Sequence, residues 1–291
     1  MSDSKQLTDL VEKLRDIPTL SVVVQRVMEL VNNPKTSAPE IADVLKKDQV
    51  LTAKVLRLVN SSFYNLSTEI TDVSRALAFL GFNSISMLVL GTSVFSAFQL
   101  KKASYFNVLE FWRHSLGTAI ASELIAKAIK VSKPEEAFSC GLLHDVGKIA
   151  LFTIEPELLQ KIVDTAKENN ISFFEAESQL ELPSHTVLGE RLAAKWQLPL
   201  MMQKTIRYHH RDIEPMESIF PAHKPTIMIA SLGNVLAKRF QVGESGDNTK
   251  PEYQANYLKL LNLTPEKLKD IEMRFPSEMD RASSFLSSAM S

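Results

Sequence analysis

The hydrophobic positions of this chain recur with helical spacing from one end to the other. Leu7, Leu10 and Leu14 share one face of a short amphipathic helix that is predicted to end before Pro18. No stretch shows the sustained alternation of apolar and polar residues that a half-buried strand requires. The pattern therefore predicts an all-α protein.

The N-terminal part predicts a helical bundle with recognisable start signals. Ser37 can cap a helix whose first turn contains Pro39, while Glu40 can reach back to Ser37. The most apolar stretch, 76–98, contains Gly81 and several serines. A membrane span is more uniformly apolar, so we expect one buried helix pair that is broken near Gly81.

The remaining chain also predicts helices, with a domain boundary near residue 103. A modest polar break at 101–104 separates an N-terminal helical lobe, 1–103, from a larger helical lobe, 104–291. The larger lobe begins with a long helix over 106–129 and includes a C-terminal helical extension. The stretch 243–248, rich in glycine and short polar residues, is the strongest loop signal in the chain.

Composition and charge narrow the functional class. A chain of 291 residues with 45% hydrophobic and 23% charged residues is ordinary for a globular protein. Its net charge of -1 provides no electrostatic footprint for nucleic acid or an anionic membrane, so neither partner is expected. The single cysteine, Cys140, and a polar N-terminus without a signal-peptide pattern indicate a cytoplasmic protein.

The most informative stretch is 141–148, which places His144, Asp145 and Lys148 inside an apolar segment that we predict to be one helix. Charged groups in such a position are costly unless they are paired or coordinated. Imidazole and carboxylate are the usual ligands of zinc, iron and manganese. Cys140 lies four residues before His144, but a small buried hydrophobic role is favoured for it over a ligand.

Further histidines lie in or beside separate apolar helices. With the central motif, the candidate metal ligands are His114, His144, Asp145, His185, His209 and His210. Helical bundles build metal sites from side chains on facing helices. The alternative, that these histidines are only core residues, requires several buried imidazoles without partners and is disfavoured. His223 precedes Pro225 closely and is interpreted as a loop residue.

Glu110 is a further candidate whose role stays open. It lies four residues before His114, on the same helix face. It could be another metal ligand or the carboxylate that orients the imidazole of His114. The alternative is an ordinary surface glutamate.

These segments resemble the HD superfamily of metal-dependent phosphohydrolases. The segment 142–149 is similar to the central motif of its cyclic-dinucleotide phosphodiesterase branch, and 185–189 and 208–210 are similar to the next two elements. Glu110 and His114 occupy places where some members with multinuclear iron sites have a Glu and a His.

A narrower resemblance, to the HDOD family, covers about residues 17–210. It is carried by these segments: 17–20, 48–51, 56–64, 76–81, 111–115 and 196–199. The resemblance implies a bacterial, two-lobed helical protein, with an N-terminal helical bundle and an HD-like helical domain. It also implies a regulatory or signal transduction role, in which the turn at 60–64 belongs to a surface for other proteins.

Two departures from the HD pattern bear on catalysis. Asn234 stands where the superfamily has its final aspartate ligand, and an amide oxygen is a poorer, uncharged ligand. The segment 211–215 lacks the glycine- and proline-bearing motif that marks cyclic-di-GMP phosphodiesterases. The resemblance therefore does not support hydrolysis of cyclic-di-GMP.

Two hypotheses follow. The favoured one is a non-catalytic HDOD module that binds signalling proteins and keeps a degenerate metal pocket, with one or two divalent iron, manganese or zinc ions or none. The alternative is a metal-dependent phosphohydrolase that acts on a nucleotide or another phosphoester. In that alternative Asp145 and Lys148 are the catalytic residues, Asp145 by holding metal and Lys148 by holding phosphate.

Overall fold

The computed structural model is helical, with no strand in the part of the chain that it describes, so the prediction of an all-α protein is confirmed. The described residues are 2–31, 33, 35–61, 64, 66–98, 103–131, 133–211 and 221–290. The helices are α1 (Ser2–Lys13), α2 (Val22–Val31), α3 (Ala38–Leu45), α4 (Gln49–Val59), α5 (Val73–Ala97), α6 (Val108–Ala128), α7 (Pro134–Leu143), α8 (Val146–Ile154), α9 (Pro156–Asn169), α10 (Phe173–Gln179), α11 (His185–Lys195), α12 (Leu200–Tyr208), α13 (Lys224–Arg239), α14 (Ala255–Leu260) and α15 (Pro265–Met290).

The chain divides into two compact units. The larger unit comprises Met1–Pro18 and Leu100–Phe275, and the smaller comprises Thr19–Gln99 and Pro276–Ser291. The division near residue 100 lies close to the boundary predicted at 103. The two chain ends differ from the predicted lobes, because the first helix belongs to the larger unit and the end of α15 to the smaller. Hydrophobic periodicity cannot report such membership, since it identifies a buried face without identifying what covers it.

The capping residues and the helix break predicted for the smaller unit are present in the structure. The Glu40 carboxylate accepts a hydrogen bond from the Ser37 amide at 2.7 Å, which completes the capping box of α3. Asp48 caps α4 by accepting from the Leu51 amide at 2.9 Å. Within α5, Gly81 has φ 80° and ψ 169°, so the predicted break in this apolar stretch is confirmed.

The turn after α4 was predicted to belong to a protein-binding surface. Its first residue, Asn60, donates to the Ile70 carbonyl at 2.7 Å and accepts from the Ile70 amide at 2.8 Å. These bonds tie the end of α4 to the segment before α5. Ser62 and Phe63 of this turn lie outside the described residues, as do residues 212–215 of the departure noted after His210 and the lysines of the break at 101–104.

The larger unit is organised around α6, which is buried along most of its length and packs against α7 and α13. Helix α11 packs against both α8 and α12. The predicted helix over 106–129 is therefore present as α6. These contacts bring the segments that carry the candidate ligands toward one another.

The segment that starts near Pro134 and carries His144 and Asp145, predicted to be one helix, forms two helices. Helix α7 ends at Leu143 and α8 begins at Val146, with Asp145 at φ -101° and ψ 14° between them. This backbone region is sparsely populated and often occurs at active sites. The prediction of a continuous helix was wrong here because apolar residues continue through the break and leave no sequence signal for it.

In the described part of the chain, two segments have the length and hydropathy of a membrane span, Val73–Ala97 and Pro134–Ile154. In the second, 89% of the most apolar window is buried inside the protein. That burial is the behaviour of core helices. The first segment is interrupted by the backbone of Gly81, as described above.

Helices α8 and α11 approach closely through two glycines, Gly147 and Gly189. A Cβ atom added at Gly147 would overlap the His185 carbonyl and lie 2.9 Å from the Gly189 amide nitrogen. Only glycine allows this approach, because backbone atoms cannot move aside as a flexible side chain can. The contact sets the separation between Asp145, just before α8, and His185, at the start of α11.

We predict that Gly147→Ala lowers the free energy of unfolding by about 1–3 kcal/mol through overpacking. Alanine is intrinsically the better helix residue by about 1 kcal/mol, so a loss identifies the helix contact as its cause. Urea unfolding at pH 7 measures the change. Ala194→Ser, at an exposed position of α11, is the control and should stay within about 0.5 kcal/mol of the parent protein. A more stable Gly147→Ala protein would contradict the prediction.

Candidate metal centre

All six candidate ligands predicted from the central motif and the histidine series converge inside the larger unit. They come from different elements: α6 carries His114, the α7–α8 junction carries His144 and Asp145, and the first residue of α11 is His185. His209 and His210 follow the end of α12. Neighbouring imidazole rings have centroids 4.1–5.7 Å apart. The segments are far apart in sequence, so helix packing creates the cluster.

Asp145 is the hub of this cluster. Its Oδ1 lies 3.1 Å from His185 Nε2 and 3.4 Å from His209 Nε2. Its Oδ2 lies 3.2 Å from His144 Nε2 and 2.8 Å from Lys148 Nζ. The carboxylate itself is completely buried. Each oxygen therefore faces a different set of partners.

The ligand atoms fall into two groups that share Asp145. One group consists of Asp145, His185, His209 and His210, and the other of His114, His144 and Asp145. Within each group the ligand atoms lie within 4.8 Å of one another. A carboxylate common to two groups is able to bridge two ions.

The donor set fits a divalent metal because its inward-facing imidazole nitrogens make no hydrogen bond. The Nε2 atoms of His144, His185, His209 and His210 have no hydrogen-bond partner among the described residues, and the charge of Asp145 is paired with Lys148. Buried polar atoms are nearly always hydrogen-bonded, so a concentration of unpaired ones needs an explanation. A cation between them supplies it, since imidazole nitrogen and carboxylate oxygen are its ordinary ligands.

The outer nitrogens of two rings are held by hydrogen bonds to backbone carbonyls. The Nδ1 of His144 lies 2.7 Å from the Gly141 carbonyl oxygen, and the Nδ1 of His209 lies 3.0 Å from that of Ile206. A carbonyl oxygen only accepts, so each Nδ1 is the donor. Its Nε2 then presents a lone pair to the centre of the cluster, which is the tautomer that a metal requires.

Burial keeps three of the imidazoles uncharged. It is the main cause that lowers the pKa of His114 to about 3 and that of His209 to about 4. Burial likewise lowers the pKa of His210 well below its ordinary value, with His209 adding to the effect. These three rings are therefore neutral at pH 7, as metal ligation demands.

For Asp145 and His185, the neighbouring groups outweigh the effect of burial on the pKa. Burial, the largest influence, raises the pKa of Asp145, but His144 and Lys148 outweigh it and hold that pKa well below its ordinary value. Burial is also the largest influence on His185 and lowers its pKa, yet Glu177 and Asp145 raise it overall. Asp145 is therefore a carboxylate at pH 7, the form that binds a cation.

Lys148 is buried and turned toward Asp145. Besides Asp145 Oδ2, its Nζ donates to the Ser245 carbonyl at 2.9 Å and lies 4.6 Å from the centre of the Phe173 ring. Its side chain is only 1% exposed. This lysine compensates a buried carboxylate, and that contact differs from the phosphate-holding role expected of it in the phosphohydrolase hypothesis.

The predicted loop at 243–248 closes over the site, a role that its sequence does not reveal. Asp247 accepts from Lys238 Nζ at 2.7 Å and from the Phe173 amide at 3.1 Å. It thereby joins α13 to the beginning of α10 and brings the Ser245 carbonyl to Lys148. Burial raises the pKa of Asp247, but Lys238 and Lys148 outweigh it and lower that pKa to about 2.

Glu177 is a second residue that sequence reasoning missed. Its carboxylate is completely buried and accepts from the His185 amide and from His185 Nδ1, the latter at 2.9 Å. A signal for it was available. Phe173, Ala176 and Glu177 have the spacing of one helix face, so the glutamate occupies an apolar stripe where a charge needs a partner.

Asn234 lies on α13 beside the cluster. It is 5% exposed, and its Oδ1 has no hydrogen-bond partner. With His209 and His210 it lines a polar cavity of about 710 Å³. The position at which the family resemblance expects a final aspartate is thus next to the histidines, but it offers a neutral oxygen.

The other candidates lie apart from the ligand groups. The Glu110 carboxylate lies 3.7 Å from Arg113 and its side chain is 29% exposed, although the residue borders a cavity of about 310 Å³ with His114. Cys140 is buried in α7. His223 is the residue before the first turn of α13. None of the three belongs to either ligand group among the described residues.

Comparison with known proteins gives a consistent family and fold. A model of the HDOD domain matches residues 17–212. The chain is similar over 98% of both lengths to an HDOD domain protein of unknown function from Geobacter sulfurreducens, with 25% identity and a TM-score of 0.72. The chain spans 49% and 36% of the lengths of the two curated relatives that it matches, which is half or less.

Two further structures share the fold at lower identity. One, from Shewanella amazonensis SB2B, is provisionally assigned as a phosphohydrolase; it is 22% identical, with coverage of 95% of this chain and 97% of that one and a TM-score of 0.70. The other, from Marinobacter aquaeolei VT8, is provisionally assigned to signal transduction. It is 20% identical, the alignment covers 99% of this chain and 65% of that one, and the TM-score is 0.76. Each establishes similarity of fold alone.

We predict that Cys140 is unreactive in the folded protein. Burial raises the pKa of its thiol to about 12, so only about one molecule in ten thousand carries the reactive thiolate at pH 8. Ellman's reagent at pH 8 should therefore label no thiol in the native protein and one in guanidinium chloride. An Ala194→Cys variant should gain one equivalent of rapid native reaction. Rapid labelling of the native parent protein would show that α7 is not packed as described.

Proposed function

The chain belongs to the HDOD domain family, and from this we propose that it is a cytoplasmic regulatory module of signal transduction. In this proposal it acts by binding other signalling proteins. Its buried histidine–aspartate group holds a divalent transition metal ion, iron, manganese or zinc, as part of the structure. Catalysis is not required of that ion.

The observation that carries the proposal is the four-ligand group around Asp145 Oδ1. A tetrahedral ion with metal–ligand distances of about 2.0–2.1 Å needs ligand atoms about 3.3–3.4 Å apart. The oxygen lies 3.1 Å from His185 Nε2 and 3.4 Å from His209 Nε2, and His210 completes the set. Four protein ligands leave a tetrahedral ion no position for substrate, which is the pattern of structural metal sites.

The ion pair of Lys148 and the neutral side chain of Asn234 also support a structural metal over a catalytic one. Lys148 Nζ is engaged by Asp145 Oδ2 and the Ser245 carbonyl, so it already compensates the only carboxylate in either ligand group. Asn234 adds no negative charge beside them. Two dications next to one carboxylate and a lysine would leave a large positive charge unbalanced in a buried site.

The similarity to other family members supports a regulatory role only through shared fold. The Marinobacter aquaeolei structure is provisionally assigned to signal transduction, and the Geobacter sulfurreducens protein has no assigned function. The proposed partners are signalling proteins of unspecified identity. Nucleic acid and membranes are not among them, on the balanced net charge of -1.

The second candidate function is a metal-dependent phosphohydrolase. The observation that favours it is the other ligand group, in which His114, His144 and Asp145 leave further coordination positions open. His114 also borders the cavity of about 310 Å³. Two ions bridged by Asp145 would supply Lewis-acid chemistry for hydrolysis of a phosphoester or nucleotide. Lys148 would then hold a phosphate oxygen instead of Asp145.

Metal content tests the proposal directly. Protein purified without an affinity tag should contain about one equivalent of a transition metal by elemental analysis. Asp145→Ala should remove it, since this variant deletes the oxygen shared by both groups. Less than a tenth of an equivalent, before and after incubation with iron, manganese or zinc, would refute metal binding.

Turnover separates the two functions. We expect no hydrolysis of nucleotides or aryl phosphoesters with added manganese or iron. Asn234→Asp restores a carboxylate beside the histidines and should raise the metal affinity. Two equivalents of metal in the parent protein, together with turnover that Asp145→Ala abolishes, would establish the phosphohydrolase instead.

A further inference from the structure

Glu177 is the buried acidic side chain with the least apparent reason to be where it is. It lies on α10, which contributes no ligand to either group. Its side chain is nevertheless completely buried, and both carboxylate oxygens are directed to a single residue, His185. A buried carboxylate is costly, so this arrangement requires a compensating benefit at His185.

The geometry points to Glu177 as a positioning residue for the metal centre, and we propose that it fixes His185 as a ligand. This inference rests on the proposed metal binding. Oε2 lies 2.9 Å from His185 Nδ1, and Oε1 accepts from the His185 backbone amide. The Glu177 carboxylate thus accepts hydrogen bonds from both the ring and the backbone of His185. His185 can then present only Nε2 to Asp145 Oδ1, 3.1 Å away.

The contrast with the other ligands shows what Glu177 adds. The outer nitrogens of His144 and His209 face backbone carbonyls, which orient the ring without contributing charge. Among the described residues, only His185 of these ligands has a carboxylate at its outer nitrogen. Such a carboxylate makes the imidazole a stronger donor to a metal and fixes the tautomer.

Formal charge gives a second reason for the residue. Asp145 is the only carboxylate within the two ligand groups, and Lys148 Nζ lies 2.8 Å from it. A bound dication would therefore find its one anionic ligand already shared with a cation. Glu177 places a second negative charge one imidazole ring away, close enough to offset the ion in a buried environment. It achieves this without occupying a coordination position.

A simpler role is that Glu177 only caps α11. Oε1 accepts from the amide of His185, the first residue of that helix, and such an amide has no partner within the helix. Capping alone predicts a loss of stability and no change in the intrinsic affinity for metal. The bond to Nδ1 is outside what capping needs, so the two roles have different consequences.

The test measures zinc affinity by competition with a chromophoric chelator, using the intact protein and zinc alone as the probe. Glu177→Gln keeps the shape but loses the charge and one acceptor, and should weaken zinc binding about 10- to 100-fold. The matched control is Glu190→Gln on α11, whose carboxylate pairs with Lys204 and Arg207 and is in neither ligand group. It should bind zinc as the parent protein does.

Unfolding by urea in the presence of a chelator separates positioning from capping. If Glu177→Gln binds zinc with the parent affinity and only the metal-free stability falls, the residue is a cap and the proposal is overturned. If the parent protein itself binds no zinc, the proposed metal function fails. These two failures are distinguishable because the first requires a parent protein that binds.

A second measurement needs no variant, in case Glu177→Gln does not fold. Long-range ¹H–¹⁵N spectra of the metal-free parent protein report the state of each imidazole. His185 should show a hydrogen-bonded proton on Nδ1, shifted strongly downfield. A His185 ring that carries its proton on Nε2 alone would overturn the proposal, whatever the metal affinity.

Discussion

The interactions of the buried Asp145 carboxylate with Lys148 and the surrounding histidines are those on which the larger unit depends. It is fully buried, and it remains charged there because His144 and Lys148 outweigh burial and hold its pKa well below its ordinary value. Removing either side of such an arrangement leaves an uncompensated buried charge, which is far more costly than the pair is favourable. The helices that supply these partners are therefore held together by electrostatics as well as by apolar packing.

Close helix packing allows that carboxylate to reach its partners. Gly147 and Gly189 let α8 and α11 approach within backbone contact, which brings His185 to Asp145. The loop after α13 closes the other side, since the ion pair of Asp247 with Lys238 brings the Ser245 carbonyl to Lys148. The contacts that pack the helices therefore also orient the candidate metal ligands.

The site brings together donor atoms of the kinds that hold a transition metal. Its inward imidazole nitrogens are unpaired, hydrogen bonds hold the outer nitrogens of His144, His185 and His209, and the four-ligand group has its ligand atoms within 4.8 Å of one another. Asn234 is beside the histidines, where a charged oxygen would have strengthened a second ion position. In the proposed regulatory role, a bound metal would fix the relative positions of α8, α11 and α12.

Much of this protein was determined by its sequence alone. Helical periodicity and capping residues are local properties, so the all-α class, the break at Gly81 and the capping box of α3 followed directly from the order of residues. The ligand types followed from chemistry, because histidine and aspartate in apolar segments need partners. The tertiary structure decided the rest: the break between α7 and α8, the grip of Glu177 on His185 and the turn of Lys148 toward Asp145. Each depends on contacts between helices that are far apart in the sequence, and the spacing of residues along the chain does not predict such contacts.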